Sequence, residues 1–441
     1  MNRDATPSWS GYIFQGEVAL CKTLETINEL EVEDIPDHYC LKLEEDEDFS
    51  LTTNDFEVFQ VKAHLSSGSN KLNAYKDVVE ELIDRYYYTI SETPDPQDGR
   101  KIIKSYSLKP RDNPIKATLI TSELIDDIDE TFPTFHRRYS NIDKSYFKII
   151  NGQYKIDNIT IKLNNAIGVL FPDLQDSDID VKRCYCCSEI SKRVYDRHRT
   201  KRLESIPFNT IKNWLENSPN AFTEEICWYE ITKIFFQSLY EDFAFYDLNI
   251  QEELDVYNKI QQALNELSNL DTIRLTSLLD FYLVPHKTLD KKDLRTSYGD
   301  YIDKEVIKQV ILEALKKINI NPLYEKMQYM KKEGKNLICY QLLIHNNQFG
   351  NDRIENRKFQ EHCEKIYNQP LTKEIDYFVT SNLEREKEEV KDRLYEILDT
   401  DVEFDKQNKL DHDEEVENKI FGFRKIDKAI QEINDNDEKP N

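Results

Sequence analysis

The stretch EDFSLTTNDFEVFQVKAH, residues 47–64, places Gln60 and Lys62 within a run of Phe and Val, just downstream of an acidic cluster. Burying an ammonium group is costly unless a carboxylate, a substrate phosphate or both compensate it. FEVFQVKA has apolar residues at both parities, the mark of a strand covered on both faces. Side chains alternate along a strand, so Gln60 and Lys62 project from the same side. Upstream, DFSLT reads as the preceding strand, with Asp48, Ser50 and Thr52 pointing one way and Phe49 and Leu51 the other. TND between them is a turn. Pairing the two segments as a hairpin brings Asp48, Gln60 and Lys62 together at the end of a small sheet.

Each of the three has a chemical use. A carboxylate binds a hard cation such as Mg²⁺ or Mn²⁺, and an amide oxygen from Gln helps fix its coordination shell. A Lys ammonium holds an attacking water or offsets charge growing on a phosphate. Glu44, Asp46 and Glu57 are rival acids. Asp48 is preferred because DF opens the strand, whereas alternation turns Glu57 to the opposite face. His64 reads as a loop residue. Glu17 lies on the apolar stripe of the first helix, formed by Ile13, Leu20, Leu24 and Ile27, and either reaches the metal or pairs with Lys62 or a nearby Arg.

The order of elements around this hairpin is helix (Gly11–Leu30), three strands beginning with YCLKLE, helix (72–89), the loop SETPDPQDG (91–99) and a strand, IKATLITS (115–122). FKIINGQYKI predicts a second hairpin turning at Asn151-Gly152. From about residue 205, amphipathic and apolar helical segments follow one another, with short strand candidates in NLICYQLLI and EIDYFVTS. The highly charged segment from Glu384 onward is expected as an exposed helix or a partly disordered tail. The expected class is an α/β endonuclease-like domain over 1–205, with its core at about 9–125 and an appended hairpin and basic helix at 126–205. A mainly helical assembly or partner-binding domain over 206–441 follows.

Composition narrows the function. The 441 residues carry 84 Asp and Glu against 59 Lys and Arg, a formal net charge of −25 that argues against unaided coating of nucleic acid. The one candidate basic track is KRCYCCSEISKRVYDRHRTKR, 182–202, with Lys192, Arg193, Arg197, Arg199, Lys201 and Arg202; a solvated charged helix is the competing reading. Within it Cys184, Cys186 and Cys187, with His198 downstream, lack the paired spacing of a zinc knuckle. Neither G-x-x-x-x-G-K-[ST] nor G-x-G-x-x-G occurs, so ATP hydrolysis is assigned to a partner. Without an export signal or a long apolar run, and with Cys21, Cys40, Cys227, Cys339 and Cys363 scattered among apolar neighbours as reduced core thiols are, the chain is expected in the cytoplasm, away from membranes.

SGYIFQGEVAL in the first helix, LEEDEDFS in the strands and FQVKAH after them resemble the N-terminal double-stranded DNA endonuclease domain of bacterial anti-phage effectors. That domain is a relative of Mrr-type restriction nucleases in the PD-(D/E)-x-K superfamily with Gln in place of the acid before x-Lys. The resemblance covers roughly the first 125 residues. It implies that Asp48 is the metal-binding acid, Gln60 the replacement for the second acid and Lys62 the catalytic lysine, with Gln15 and Glu17 in supporting positions. DVKRCYCCSEISKRVYDRH and ICWYEITKIFFQSLYEDF resemble the nuclease components of ABC-three-component and Lamassu-type defence systems. The resemblance implies a Mg²⁺-dependent endonuclease acting on double-stranded DNA, restrained by an SMC-like or ABC-type ATPase subunit and a small third subunit. Oligomerisation on activation is a further expectation, and a partner-held or oligomerised complex would supply the cations this chain lacks. The alternatives are a catalytically silent adaptor that scaffolds the ATPase complex, and an RNA nuclease.

Overall fold

Phe56–Lys62 forms β3, the strand around which the first sheet is built. The computed structural model describes residues 9–30, 35–44, 47–63, 71–94, 102–109, 115–128, 142, 145–156, 158–200, 205–240, 250–345, 352–368, 374–398 and 420–435. These divide into a compact unit spanning Gly11–Ala221 and a second made by the residues from Phe222 onward with Trp9 and Ser10.

In the first unit α1 (Trp9–Glu29) precedes a meander of β1 (Cys40–Leu43), β2 (Phe49–Thr52) and β3. After α2 (Lys76–Tyr87) come β4 (Tyr88–Pro94), β5 (Ile102–Leu108), β6 (Lys116–Thr121) and β7 (Phe147–Asn151), and β8 (Ser205–Pro207) completes the strands. The six-stranded sheet has the order β7-β6-β3-β2-β1-β8. β3 is antiparallel to β2 and parallel to β6, so it is an interior strand with partners on both edges. The continuous apolar character of its sequence follows from that position.

The two faces of β3 are covered differently. Val58 packs with Val79, Leu82, Ile83, Tyr86 and Tyr87 of α2 and with Ala117, Leu119 and Phe147 of the neighbouring strands. On the opposite face Phe59 stacks on Phe49, its direct partner on β2, with ring centroids 4.5 Å apart and planes 8° from parallel. α1 is buried around more than its expected stripe: Phe14, Val18, Ala19 and Cys21 are buried as well as Ile13, Leu20, Leu24 and Ile27. A Cβ on Gly16 would stand 3.0 Å from Ile190 of the helix Asp176–Thr200, so glycine permits that close approach.

Two local expectations change. FKIINGQYKI is not a hairpin: β7 ends at Asn151 and lies parallel to β6 at the edge of the sheet. Gly152 does adopt the positive φ of +65° anticipated for it, but the turn leads to the buried Tyr154 and the helix Ile159–Leu170. Asn151 is better used to bind Thr121 and the Ile125 backbone through its side chain than to open a hairpin. The second change is at 91–99, expected as a loop, where residues 91–94 belong to β4, paired antiparallel with β5 in a separate two-stranded ribbon. Beyond Tyr88 both strands are exposed along their length, so no buried face imprinted an apolar/polar alternation on them.

The second unit contains many helices, as its sequence suggests, but is organised around a sheet. β9 (Gln328–Glu333), β10 (Asn336–Leu342), β11 (Tyr377–Thr380) and β12 (Gly422–Lys425) pair in the order β12-β11-β10-β9, with β10, β11 and β12 mutually parallel. Tyr340, Leu342 and Val379 face a large core with Phe235, Leu264, Ile307 and Ile311. Cys339, Phe378 and Phe423 face a second core with Phe359, Cys363, Val390 and Leu394. The unit is therefore mixed α/β, with helices on both faces of the sheet.

The segment from Glu384 onward is a correction of the same kind. Val390 and Leu394 are buried, β12 adds the terminal parallel strand, and the helix Ile426–Asn434 buries Ile426, Ala429 and Ile433. Its charges are organised: Arg424 is buried against Glu386 at 3.0 Å and Glu432 at 3.1 Å, with its guanidinium 3.9 Å from the Tyr377 ring centre. Few apolar residues are present, but their spacing is helical and sufficient. Residues 399–419 lie outside the described residues.

Because Phe59 is fully buried and fixes the β2–β3 pairing, Phe59→Ala should lower the unfolding free energy by about 3–5 kcal/mol. Urea denaturation of the variant and parent will measure it; a loss below about 1 kcal/mol would show that the stack does not anchor this sheet.

Candidate active site

The antiparallel register pairs Phe49 with Phe59, which sets Asp48 opposite Gln60 one step further along the hairpin. The side chains meet there. Gln60 Nε2 donates to Asp48 Oδ2 at 2.6 Å, and the Val61 backbone N–H donates to the same oxygen at 2.6 Å. Lys62 follows on the same side of β3 as Gln60 and is half-buried. Its charge acts on the Asp48 carboxylate.

Asp48 is electrostatically poised. Burial pushes its carboxyl up to about 7, against the opposing pull of the Lys62 ammonium and the Val61 N–H; Glu47 and Glu44 push it further upward. Glu47 is itself raised, first by burial, although Arg85 and Tyr86 act in the other direction. Its Oε1 accepts from Arg85 Nη1 at 3.0 Å and from Tyr86 Oη at 3.2 Å. The last turn of α2 thus holds the acid next to Asp48 in the chain.

The rival acids separate cleanly. Glu57 lies on the other face of β3, where its Oε1 accepts from Thr118 Oγ1 at 2.7 Å. Glu44 occupies the turn between β1 and β2 with φ +52°, its backbone N–H donating to the Asp48 carbonyl at 2.8 Å. Asp46 and His64 lie outside the described residues. On α1, Gln15 is half-buried and Glu17 buried.

A divalent cation suits this donor set. Both N–H bonds fall on Asp48 Oδ2, which leaves Oδ1 as a ligand oxygen, and the amide that turns its nitrogen to Asp48 directs Gln60 Oε1 away from it. Three carboxyl groups, Glu44, Glu47 and Asp48, stand against Lys62 and Arg85, an acidic surplus that a cation would relieve. Sequence reasoning did not find the Val61 N–H or the clamp of Arg85 and Tyr86 on Glu47. No local signal announces them, since the clamp joins residues 38 and 39 positions apart.

The basic segment is less available than its composition suggests. Lys182 Nζ donates to the Leu215 carbonyl and to Ser218 Oγ, Lys192 pairs with Glu189 at 2.8 Å, and Arg193 lies over the Trp214 ring. The side chains of Arg197, His198 and Arg199, and residues 201–202, are outside the described set. Cys184, Cys186 and Cys187 are buried, and burial pushes the Cys186 thiol well up. Among the described residues no helix is long and apolar enough to cross a membrane.

Against this geometry stands one match among known families. Residues 134–383, more than half of the chain, match the family described as C-terminal domain 1 of the ABC-three component (ABC-3C) systems, and the chain belongs to that family. The matched span begins after β6 and therefore excludes Asp48, Gln60 and Lys62. No curated protein and no solved structure matches the chain.

The raised Asp48 carboxyl makes stability fall with rising pH. Between about pH 4 and pH 7 the folded chain retains a proton that the unfolded chain, with its ordinary carboxyl near 3.8, has released. Asp48→Asn should therefore leave stability unchanged below pH 4 and raise it by roughly 2–4 kcal/mol at pH 8 in chelator. Denaturation curves at the two pH values check this; an equal effect at both would mean that Asp48 is not desolvated in the fold.

Proposed function

We propose that this chain is the metal-dependent DNA endonuclease subunit of an ABC-three-component defence system directed against phage. The observation that carries the reading is the contact of Gln60 with Asp48 within the electrostatic reach of Lys62, the Asp48 carboxyl being bound by two N–H donors and pushed up to about 7. Perturbed carboxyls beside a Lys on adjoining strands are the material of phosphodiester hydrolysis.

Asp48 Oδ1 would hold Mg²⁺ or Mn²⁺, with Gln60 joining the shell once its amide turns Oε1 toward the ion, and with Glu17 as a further candidate from α1. The bound ion would polarise the phosphate. Lys62 orients the attacking water in line with the scissile bond and offsets negative charge developing on the phosphoryl oxygens. Val61 N–H and Gln60 Nε2 keep the Asp48 carboxylate from rotating, and the Arg85–Glu47 pair holds the neighbouring backbone. Membership in an ABC-three-component family supports an ABC-type ATPase partner and a further subunit. The net charge of −25 supports DNA capture by the complex more than by the isolated chain.

The test is cleavage of plasmid DNA and of single-stranded RNA in Mg²⁺ or Mn²⁺, by the chain alone and with its ATPase partner. Lys62→Ala should reduce DNA cleavage by about a hundredfold or more, with circular dichroism and partner binding unchanged. Cleavage retained by that variant removes Lys62 from the mechanism. Metal-dependent cleavage of RNA alone changes the substrate. Absence of cleavage in every combination, with assembly intact, establishes the silent adaptor in place of the enzyme.

A further inference from the structure

In the second unit three histidines that are distant in sequence form one cluster. His286 follows the π-helical segment Leu278–Leu283, His345 follows the end of β10, and His362 lies in the helix Asp352–Tyr367. A ligand nitrogen from each lies within 4.8 Å of the other two. The ring centres are 4.4 Å apart for His345 and His362, 4.7 Å for His286 and His362, and 5.0 Å for His286 and His345. His286 and His345 are 2% exposed, and His362 is half-buried.

Packing alone accounts poorly for this group. Both ring nitrogens of His286 are buried without a hydrogen-bond partner. A buried imidazole in that condition forgoes the bonds it makes in water, whichever tautomer it adopts. His345 Nε2 and His362 Nδ1 are hydrogen-bonded at 2.5 Å, so both face the same space between the rings. Burial pushes His286 well below its ordinary range and His345 down to about 3, so both rings are held in the neutral form, the form that ligates metals.

We propose that His286, His345 and His362 form a binding site for a divalent transition-metal ion of the zinc class, with water in the fourth position. Three imidazoles satisfy the preference of zinc for nitrogen, and three protein ligands with one open position is a known coordination pattern for it. Bonds of 2.0–2.1 Å in a tetrahedral shell require nitrogens about 3.3 Å apart. The 2.5 Å contact and the 4.8 Å limit bracket that spacing, so ring rotation brings the three nitrogens into place. The half-buried His362 marks the side from which water reaches the fourth position. Ile344 N already donates to the Leu283 carbonyl at 2.8 Å, joining two of the three segments. The ion would add the helix Asp352–Tyr367 to that junction and give one of the two orphaned nitrogens of His286 a partner. The site is independent of Asp48, Gln60 and Lys62 and of the nuclease reading.

The test uses the full chain carrying Asp48→Asn, so that the candidate active site contributes no metal. After chelator treatment, equilibration with Zn²⁺ and exhaustive dialysis, one equivalent of zinc per chain is expected by elemental analysis. Co²⁺ in its place should give the intense visible bands of a tetrahedral nitrogen site. His345→Gln and His362→Gln should each weaken Zn²⁺ binding by about a hundredfold or more, while the exposed His38→Gln leaves it unchanged. His362 is half-buried, and circular dichroism of its variant separates loss of a ligand from loss of the fold. Failure of the parent chain to retain zinc, or retention of one equivalent by the His362→Gln chain with its fold intact, overturns the site.

Discussion

The pairing register of β2 and β3 is the constraint on which the candidate active site rests. Because Phe49 stands opposite Phe59, Asp48 stands opposite Gln60. A slip of one residue would move the Phe rings to the face covered by α2 and turn Asp48 away from its two donors. The stacked rings thus do two things at once: they fill the core on one side of the sheet, and they hold a carboxylate in register with an amide and an ammonium on the other. The parallel partner β6 completes the burial of β3 and sets α2 over the sheet. The end of α2 is what brings Arg85 and Tyr86 to Glu47.

The two units solve the same physical problem with different materials. In each, a sheet with parallel strands is covered on both faces. The family match extends from the second half of the first unit through most of the second. The candidate site lies on the strands before that span, and the trio of histidines within it. The charged C-terminal segment shows how little apolar material a sheet edge needs: β12 and the helix after it contribute Phe423, Ile426, Ala429 and Ile433, and Arg424 is held by two carboxylates and an aromatic ring.

Polar groups that look alike in sequence have unlike environments in this fold. Asp48 and Glu57 are both acids beside Phe, yet Asp48 is raised to about 7 among other acids and Glu57 accepts from a threonine on the opposite face. The cations at 182, 192 and 193 suggest a track for phosphates but are engaged by a carbonyl, a carboxylate and an indole. The clustered cysteines of the same helix are buried thiols, while the metal-ligand geometry appears among three histidines that no spacing unites.

By itself the sequence determined the elements whose signals are local. Alternation marked β2 and β3 and put Gln60 and Lys62 on one side, helical spacing marked α1 and α2, and the apolar parity of β3 marked it as interior. The candidate trio was legible because one hairpin carries it. Tertiary structure alone decided what depends on long-range approach: the Glu47 clamp, the direction of β7, the burial of Val390 and Leu394, and the cluster of His286, His345 and His362. These join residues tens of positions apart, and chain spacing carries no record of which side chains folding brings within hydrogen-bond or coordination distance.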